Sequence, residues 1–202
     1  MSTTALPTTT SKPETDHCFG NSAENSPRNI TLVDSTPITP CRNTKVASLC
    51  ASLHYKFSVE VFCDHSLPLN DNLENILHIT AGNDYGNIGD RTFAIWRNPS
   101  LHSLKLTVTH PDGPPPTYQT HVHCECENKK WTSFVLELKA PVLPNEQQLV
   151  EYLVTQDGVR IMAGSYDIER AYKEGPLEVF VSSPWWEVGS KHLVRNFVYE
   201  KK

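Results

Sequence analysis

The sequence predicts an all-β domain, an antiparallel sandwich or barrel, behind a disordered N-terminal tail. Three observations predict it. From about Lys45 onward, apolar residues alternate with polar ones in run after run, the period of a strand with one buried face. About ten such runs, spaced by roughly 8–12 residues, are punctuated by Asn, Asp, Gly and Pro, a rhythm of antiparallel strands. Residues 1–44 hold 20 Ser, Thr or Pro, and such a segment buries too little apolar surface to offset the entropy of ordering it. Residues 45–202 suffice for one domain, burying on general scaling ~70% of their unfolded surface.

The runs follow in order. "HYKFSVEVFC" sets Tyr55, Phe57, Val59, Val61 and Cys63 on one face and Lys56, Ser58 and Glu60 on the other. "NILHIT" and "RTFAIW" are apolar runs flanking a polar, glycine-punctuated segment. "SLKLTVTH" alternates again until "PDGPPP" stops it, because a proline run cannot donate to a ladder and Asp-Gly favours a tight turn. "TYQTHVHCECE", "WTSFVLELKAP", "QLVEYLVTQDGVRIMAG", "LEVFVSSPWW" and "LVRNFVYE" complete the set. Gln156-Asp157-Gly158-Val159 is the strongest hairpin signal, since its turn needs positive φ. "DIERAYKEG" has the composition for one or two helical turns. Trp131 and Tyr152, inside strands, are expected in the core, and the last run as an edge or closing strand beside the first.

Charge and cysteine content narrow the function classes. The net charge of −5 is spread over the chain with no basic stripe, which argues against nucleic acid. No apolar stretch approaches the ~18 residues of a bilayer span, so no membrane insertion is expected of this chain. Six cysteines, the Ser/Thr/Pro-rich tail as a candidate for O-glycosylation, and the glycosylation sequon at Asn29 point to an oxidising, extracellular compartment. The first twenty residues have neither the basic start nor the apolar centre of a secretory signal. The expectation is therefore a fragment or isoform of a larger secreted or membrane-anchored protein.

The candidate chemistry lies in loops and cysteines. Asn83, Asp84, Asn87 and Asp90 offer oxygen ligands of the kind calcium prefers, and Gly82, Gly86 and Gly89 let carbonyls turn inward. Asp84, Asn87 and Asp90 are the calcium candidates, and Asn83, Asp84 and Tyr85 the first ligand-binding candidates. The competing reading is that these are turn residues. A phosphate cradle is rejected, because a strand and not a helix follows the loop. In "HVHCEC", His121 and His123 share one strand face and Cys124 and Cys126 the other. The histidines are an exposed edge-strand face or, with help from elsewhere, a zinc or copper site. The two cysteines would sit ~6.6 Å apart along a strand, so each is expected to pair across the sheet, with Cys50 and Cys63 as partners. Six cysteines allow fifteen connectivities, and spacing does not choose among them. Tyr85, Trp96, Tyr118, Trp185 and Trp186, beside loops or turns, are the aromatics placed to stack on sugars.

Four pieces occur in a familiar order: "NILHITAGNDYGNIGDRTFAIW", Trp131 in "WTSFVLEL", Tyr152 with the Asp157-Gly158 turn, and "VFVSSPWWEVGSKHLVRNFVYE". Over residues 45–202 the chain thereby resembles the concanavalin A-like, laminin G-like jelly-roll domains of extracellular invertebrate proteins. The resemblance implies an antiparallel two-sheet jelly-roll sandwich that binds glycans, proteins or calcium. The same architecture hosts glucan hydrolases with a Glu-x-Asp-x-Glu strand. Here Ser165 stands at the first of those positions before Asp167 and Glu169, and a hydroxyl there can neither attack the sugar nor donate a proton at raised pKa. The expectation is a non-enzymatic extracellular module that binds a glycan or protein through loops at the sandwich rim. The alternatives are a structural or adhesive domain and a diverged glycoside hydrolase.

Overall fold

The computed structural model describes residues 29–39, 44–50, 54–67, 73–81, 92–98, 103–109, 119–139, 149–167, 176–182 and 192–201. Among them are twelve strands and no helix: β1 (Asn29–Val33), β2 (Thr44–Cys50), β3 (Tyr55–Cys63), β4 (Glu74–Thr80), β5 (Phe93–Asn98), β6 (Ser103–Thr109), β7 (Gln119–Glu125), β8 (Lys130–Lys139), β9 (Leu149–Gln156), β10 (Val159–Asp167), β11 (Pro176–Val181) and β12 (Leu193–Lys201). They form two antiparallel sheets of six strands, ordered β1-β12-β3-β8-β9-β10 and β2-β11-β4-β5-β6-β7. The sandwich expected from the alternating runs is the one formed.

Alternation builds the first sheet. Along β3, Tyr55, Phe57, Val59, Val61 and Cys63 are buried while the residues between them are half-buried. The neighbouring β8 turns Phe134, Leu136 and Leu138 the same way, paired in continuous register from Tyr55↔Leu138 to Cys63↔Lys130. Phe57 stands against Tyr55, Phe197 and Tyr199 with ring centroids 4.9, 5.9 and 5.1 Å away, tilted or edge-on as aromatic quadrupoles prefer. Opposite them the second sheet contributes Leu77, Ile79, Phe93, Ile95, Leu104 and Leu106, and the two inner faces make one core.

Two expectations about the chain ends need correction. β1 lies inside the segment 1–44 expected to be a disordered tail. It pairs with β12 (Asn29↔Glu200, Ile30↔Tyr199), and Ile30 and Leu32 pack on the core. Its order comes from a neighbour's ladder, which local composition does not register. β12 pairs beside β3, the first of the alternating runs, as expected of a closing strand, but it is not an edge: β1 is hydrogen-bonded to its other side. Residues 1–28, and "DIERAYKEG" beyond Asp167, lie outside the described residues.

The β9–β10 hairpin forms at the expected turn. Asp157 and Gly158 take φ of 48° and 80°, both left-handed as a two-residue hairpin loop matching strand twist requires. Further along β10, Gly164 faces Tyr152 across the pair. A Cβ at Gly164 would lie 2.7 Å from the Tyr152 hydroxyl, so only glycine lets that ring lie over β10. The Tyr152 hydroxyl hydrogen-bonds Thr120 of β7 and so links the two sheets.

Candidate functional site

The loop candidates Asn83, Asp84, Tyr85, Asn87 and Asp90 lie outside the described residues, as do Tyr118, Trp185 and Trp186. Trp96 is described, and it is buried against His78 on the outer face of the second sheet rather than offered to a ligand. His121 and His123 stand exposed on the edge strand β7, their ring centroids 5.8 Å apart. Partial burial, then the charges of Lys105 and His123, hold His121 below the usual histidine pKa. Among the described residues no group of three or more His, Cys, Asp or Glu could hold a metal ion.

The cysteines sort themselves by strand face. Cys63, ending β3 in the first sheet, is bonded to Cys126, just past β7 of the second, with Cα atoms 6.1 Å apart. The bond ties the two sheets at one rim. Cys124 does not pair as expected: it is a buried thiol, and burial pushes its pKa up to about 11, which leaves it unreactive at neutral pH. The Cys50 side chain lies outside the described residues. Asn29 is exposed on the edge strand β1, where its sequon is open to solvent.

Around the disulfide the rim is pinned by several bonds. The Lys129 amide, at φ 58°, donates to the Cys63 carbonyl over 2.6 Å. The His65 amide donates to Asn128 Oδ1 over 2.9 Å, and His65 Nε2 lies 4.0 Å from the Cys126 sulfur. Gln156 Nε2, at the tip of β9, donates to the Glu125 carbonyl over 2.7 Å, bridging the sheets a third time. The Ser133 amide donates to Asp157 Oδ1 over 2.8 Å, and the Asp157 amide returns a bond to the Ser133 carbonyl over 2.9 Å. Lys130 pairs with Glu127.

These bonds frame a pocket of about 270 Å³ between the β7–β8 and β9–β10 turns, lined by Glu125, Cys126, Glu127, Lys130, Trp131, Thr132, Gln156 and Asp157. Trp131 is not a core residue as the sequence suggested. It is half-buried on the outer face of β8, beside Phe62 at 5.3 Å and under the Arg195 guanidinium at 3.9 Å from its ring centroid. Arg195 is held in turn by Glu60, its Nε donating over 2.6 Å. Thr132, only 3% exposed, has the inward parity of Phe134 and Leu136. The signal for Trp131 was in the strand: Ser133 and Glu137 share its parity, whereas Phe134, Leu136 and Leu138 have the other.

A second, shallower groove of about 340 Å³ crosses the outer face of the first sheet. Glu137, Lys139, Glu151, Leu153, Ala163 and Ser165 line it together with Tyr152 and Gly164. Ser165 is thus a surface residue of an edge strand, and the side chains of Asp167 and Glu169 lie outside the described residues.

Beneath the disulfide rim lies a buried charged group. Arg97 Nη1 donates to Glu74 Oε2 over 3.0 Å and its Nη2 to the Leu67 carbonyl over 3.0 Å. Burial, then the Arg97 charge, pull the pKa of nearby His192 down to about 4, so that histidine is neutral at physiological pH. Sequence reasoning did not single out these three residues; only their convergence from three separate strand ends marks them.

No family model and no curated protein sequence matches the chain. Among solved structures it is similar to the receptor binding domain of botulinum neurotoxin D, at 11% identity and a TM-score of 0.50, over 87% of this chain and 40% of that one. It is also similar to a Trypanosoma rangeli sialidase (15% identity, 73% of this chain, 20% of that one, TM-score 0.49). A third is an endo-beta-1,4-glucuronan lyase from Trichoderma reesei (12%, 86%, 77%, TM-score 0.44). The chain spans about 40% of the length of the toxin domain. At these identities the likeness is one of fold, and it places the chain among two-sheet β-sandwiches without singling out an invertebrate laminin G family.

Proposed function

We propose that this domain is a non-enzymatic recognition module of an extracellular protein and that it binds a glycan in the rim pocket beside the Cys63–Cys126 bond. The observation that carries the reading is the pocket's composition. The half-buried Trp131, the amide-bearing Gln156, the acidic residues Glu125, Glu127 and Asp157, and Thr132 line a space of about 270 Å³. A sugar presents hydroxyls to polar groups and a C–H face to an aromatic ring, and this lining offers both. The disulfide and hydrogen bonds hold the lining in place before a ligand arrives, which lowers the ordering cost of binding. The disulfide and the exposed Asn29 sequon favour an oxidising, extracellular setting. The toxin domain of similar fold is a receptor binding domain. The narrower kinship, to laminin G-like modules, is part of this proposal.

A glycan array run with and without calcium tests it. Glycan binding by the wild-type chain should persist in chelator and fall about tenfold in Trp131→Ala, the order of an aromatic contact, with cooperative melting retained. Binding that needs calcium and survives Trp131→Ala would move the site to Asp84, Asn87 and Asp90. A blank array would leave the structural or adhesive role.

A further inference from the structure

The outer face of the edge strand β7 carries His121 and His123, two residues apart and therefore on one side of the strand. Both are exposed. Their ring centroids stand 5.8 Å apart and the ring planes cross at 86°. A tetrahedral zinc ion bonded to two imidazole nitrogens at about 2.0–2.1 Å holds the ring centroids roughly 5 Å apart. Small side-chain rotations therefore close a chelate on a backbone that the β6–β7 ladder already fixes. Within one chain, the described residues do not finish such a site. Zinc in a closed site takes four ligands from Cys, His, Asp or Glu. Opposite His123 and His121 on β6 stand Lys105 and Thr107, the first a cation that opposes the ion. No group of three or more His, Cys, Asp or Glu able to hold a metal occurs among the described residues.

We propose that β7 carries half of a zinc site and that zinc joins two copies of this chain, His121 and His123 of each copy supplying the four ligands. A second copy related by a two-fold axis through the ion brings an identical pair to the same point, because a two-fold contact sets the same patch against itself. The two pairs then approach from opposite sides, which places four imidazoles tetrahedrally about one centre, a nitrogen set that suits zinc. β7 is placed for the approach: it is an edge strand, hydrogen-bonded to β6, and among the described residues no strand pairs with its other side.

Sedimentation velocity of the full chain, stripped of metal by chelator and then titrated with zinc sulfate, makes the test. The chain should sediment as a monomer in chelator and as a dimer once zinc is added, saturating near about one ion per two chains. Magnesium, which prefers oxygen ligands, should leave it monomeric. His121→Ala and His123→Ala, each at an exposed position, should abolish the zinc-dependent dimer while the melting temperature in chelator stays that of wild type. A dimer that persists in chelator, zinc taken up without a change in mass, or a zinc-dependent dimer that survives both substitutions would overturn the shared site. None of these outcomes touches the glycan reading, which the array tests by itself.

Discussion

The outer faces of the two sheets differ in their access to solvent. On the first, Lys56, Ser58, Glu60 and Ser133 alternate half-buried with the core positions. On the second, Asn75, His78, Thr80, Trp96 and Thr107 also point away from the core, yet all are 4% exposed or less. Even Ala94, between His78 and Thr107 in the ladder, is fully buried. The first sheet therefore has one face that packs and one that meets water. In the second, whose edge strand β7 still exposes His121 and His123, the outer face along β4 and β5 is withdrawn from water too and is built from groups that need hydrogen bonds there. Most find them, although Asn75 Oδ1 and Ser103 Oγ have none. The same architecture thus tolerates change unevenly, and the difference can be measured.

The largest effect should come from placing one charge on each outer face. Ala94→Lys buries an ammonium in the second sheet and should cost more than about 4 kcal/mol, enough to abolish a cooperative transition. Val135→Lys on the first sheet, with water beside it, should stay within about 1 kcal/mol. Comparable losses in urea denaturation would erase the distinction between the faces.

Ion pairs extend the comparison. Glu74–Arg97 in the second sheet is 8% and 4% exposed at 3.0 Å, whereas Lys56–Glu200 in the first is 31% exposed on both sides at 3.6 Å. Glu74→Ala leaves a guanidinium buried and should cost about 3–5 kcal/mol, and Glu200→Ala at most about 1 kcal/mol. Equal midpoint shifts would mean that burial of the first pair contributes nothing.

The smallest effect is a slope. The folded pKa of His192 lies at about 4, below its ordinary value of 6.5. The unfolded chain therefore takes up a proton that the folded chain refuses. Its contribution to stability is complete above about pH 6.5 and is lost as pH falls, by about 1.4 kcal/mol per unit down to the folded pKa. His192→Gln should flatten the fall in stability between pH 6.5 and about 4 relative to wild type. An unchanged slope would place the titration elsewhere.

How legible each region was follows from the same contrast. β3 and β8 alternate, so parity named their inner residues, and the Asp157-Gly158 turn announced its hairpin through the positive φ that glycine allows. β4 is buried along its whole length, and a continuous run carries no period from which to tell inside from outside. β1 was invisible because a strand held by a neighbour's ladder among serines, threonines and prolines has no local signature. Trp131 was misplaced for a different reason: its size suggested the core while its parity with Ser133 and Glu137 pointed outward.

By itself the sequence determined the all-β class, the antiparallel hairpin and the inner faces of the alternating strands, because these follow from the two-residue repeat and from backbone angles that only a few residues accept. Tertiary structure alone decided that Cys63 meets Cys126 while Cys124 stays a thiol, that β12 runs inside its sheet, and that Trp131, Thr132, Gln156 and Asp157 share a pocket. Those outcomes depend on which distant segments meet when two sheets close face to face, and strand order and inter-sheet contact leave no mark on any local stretch of chain.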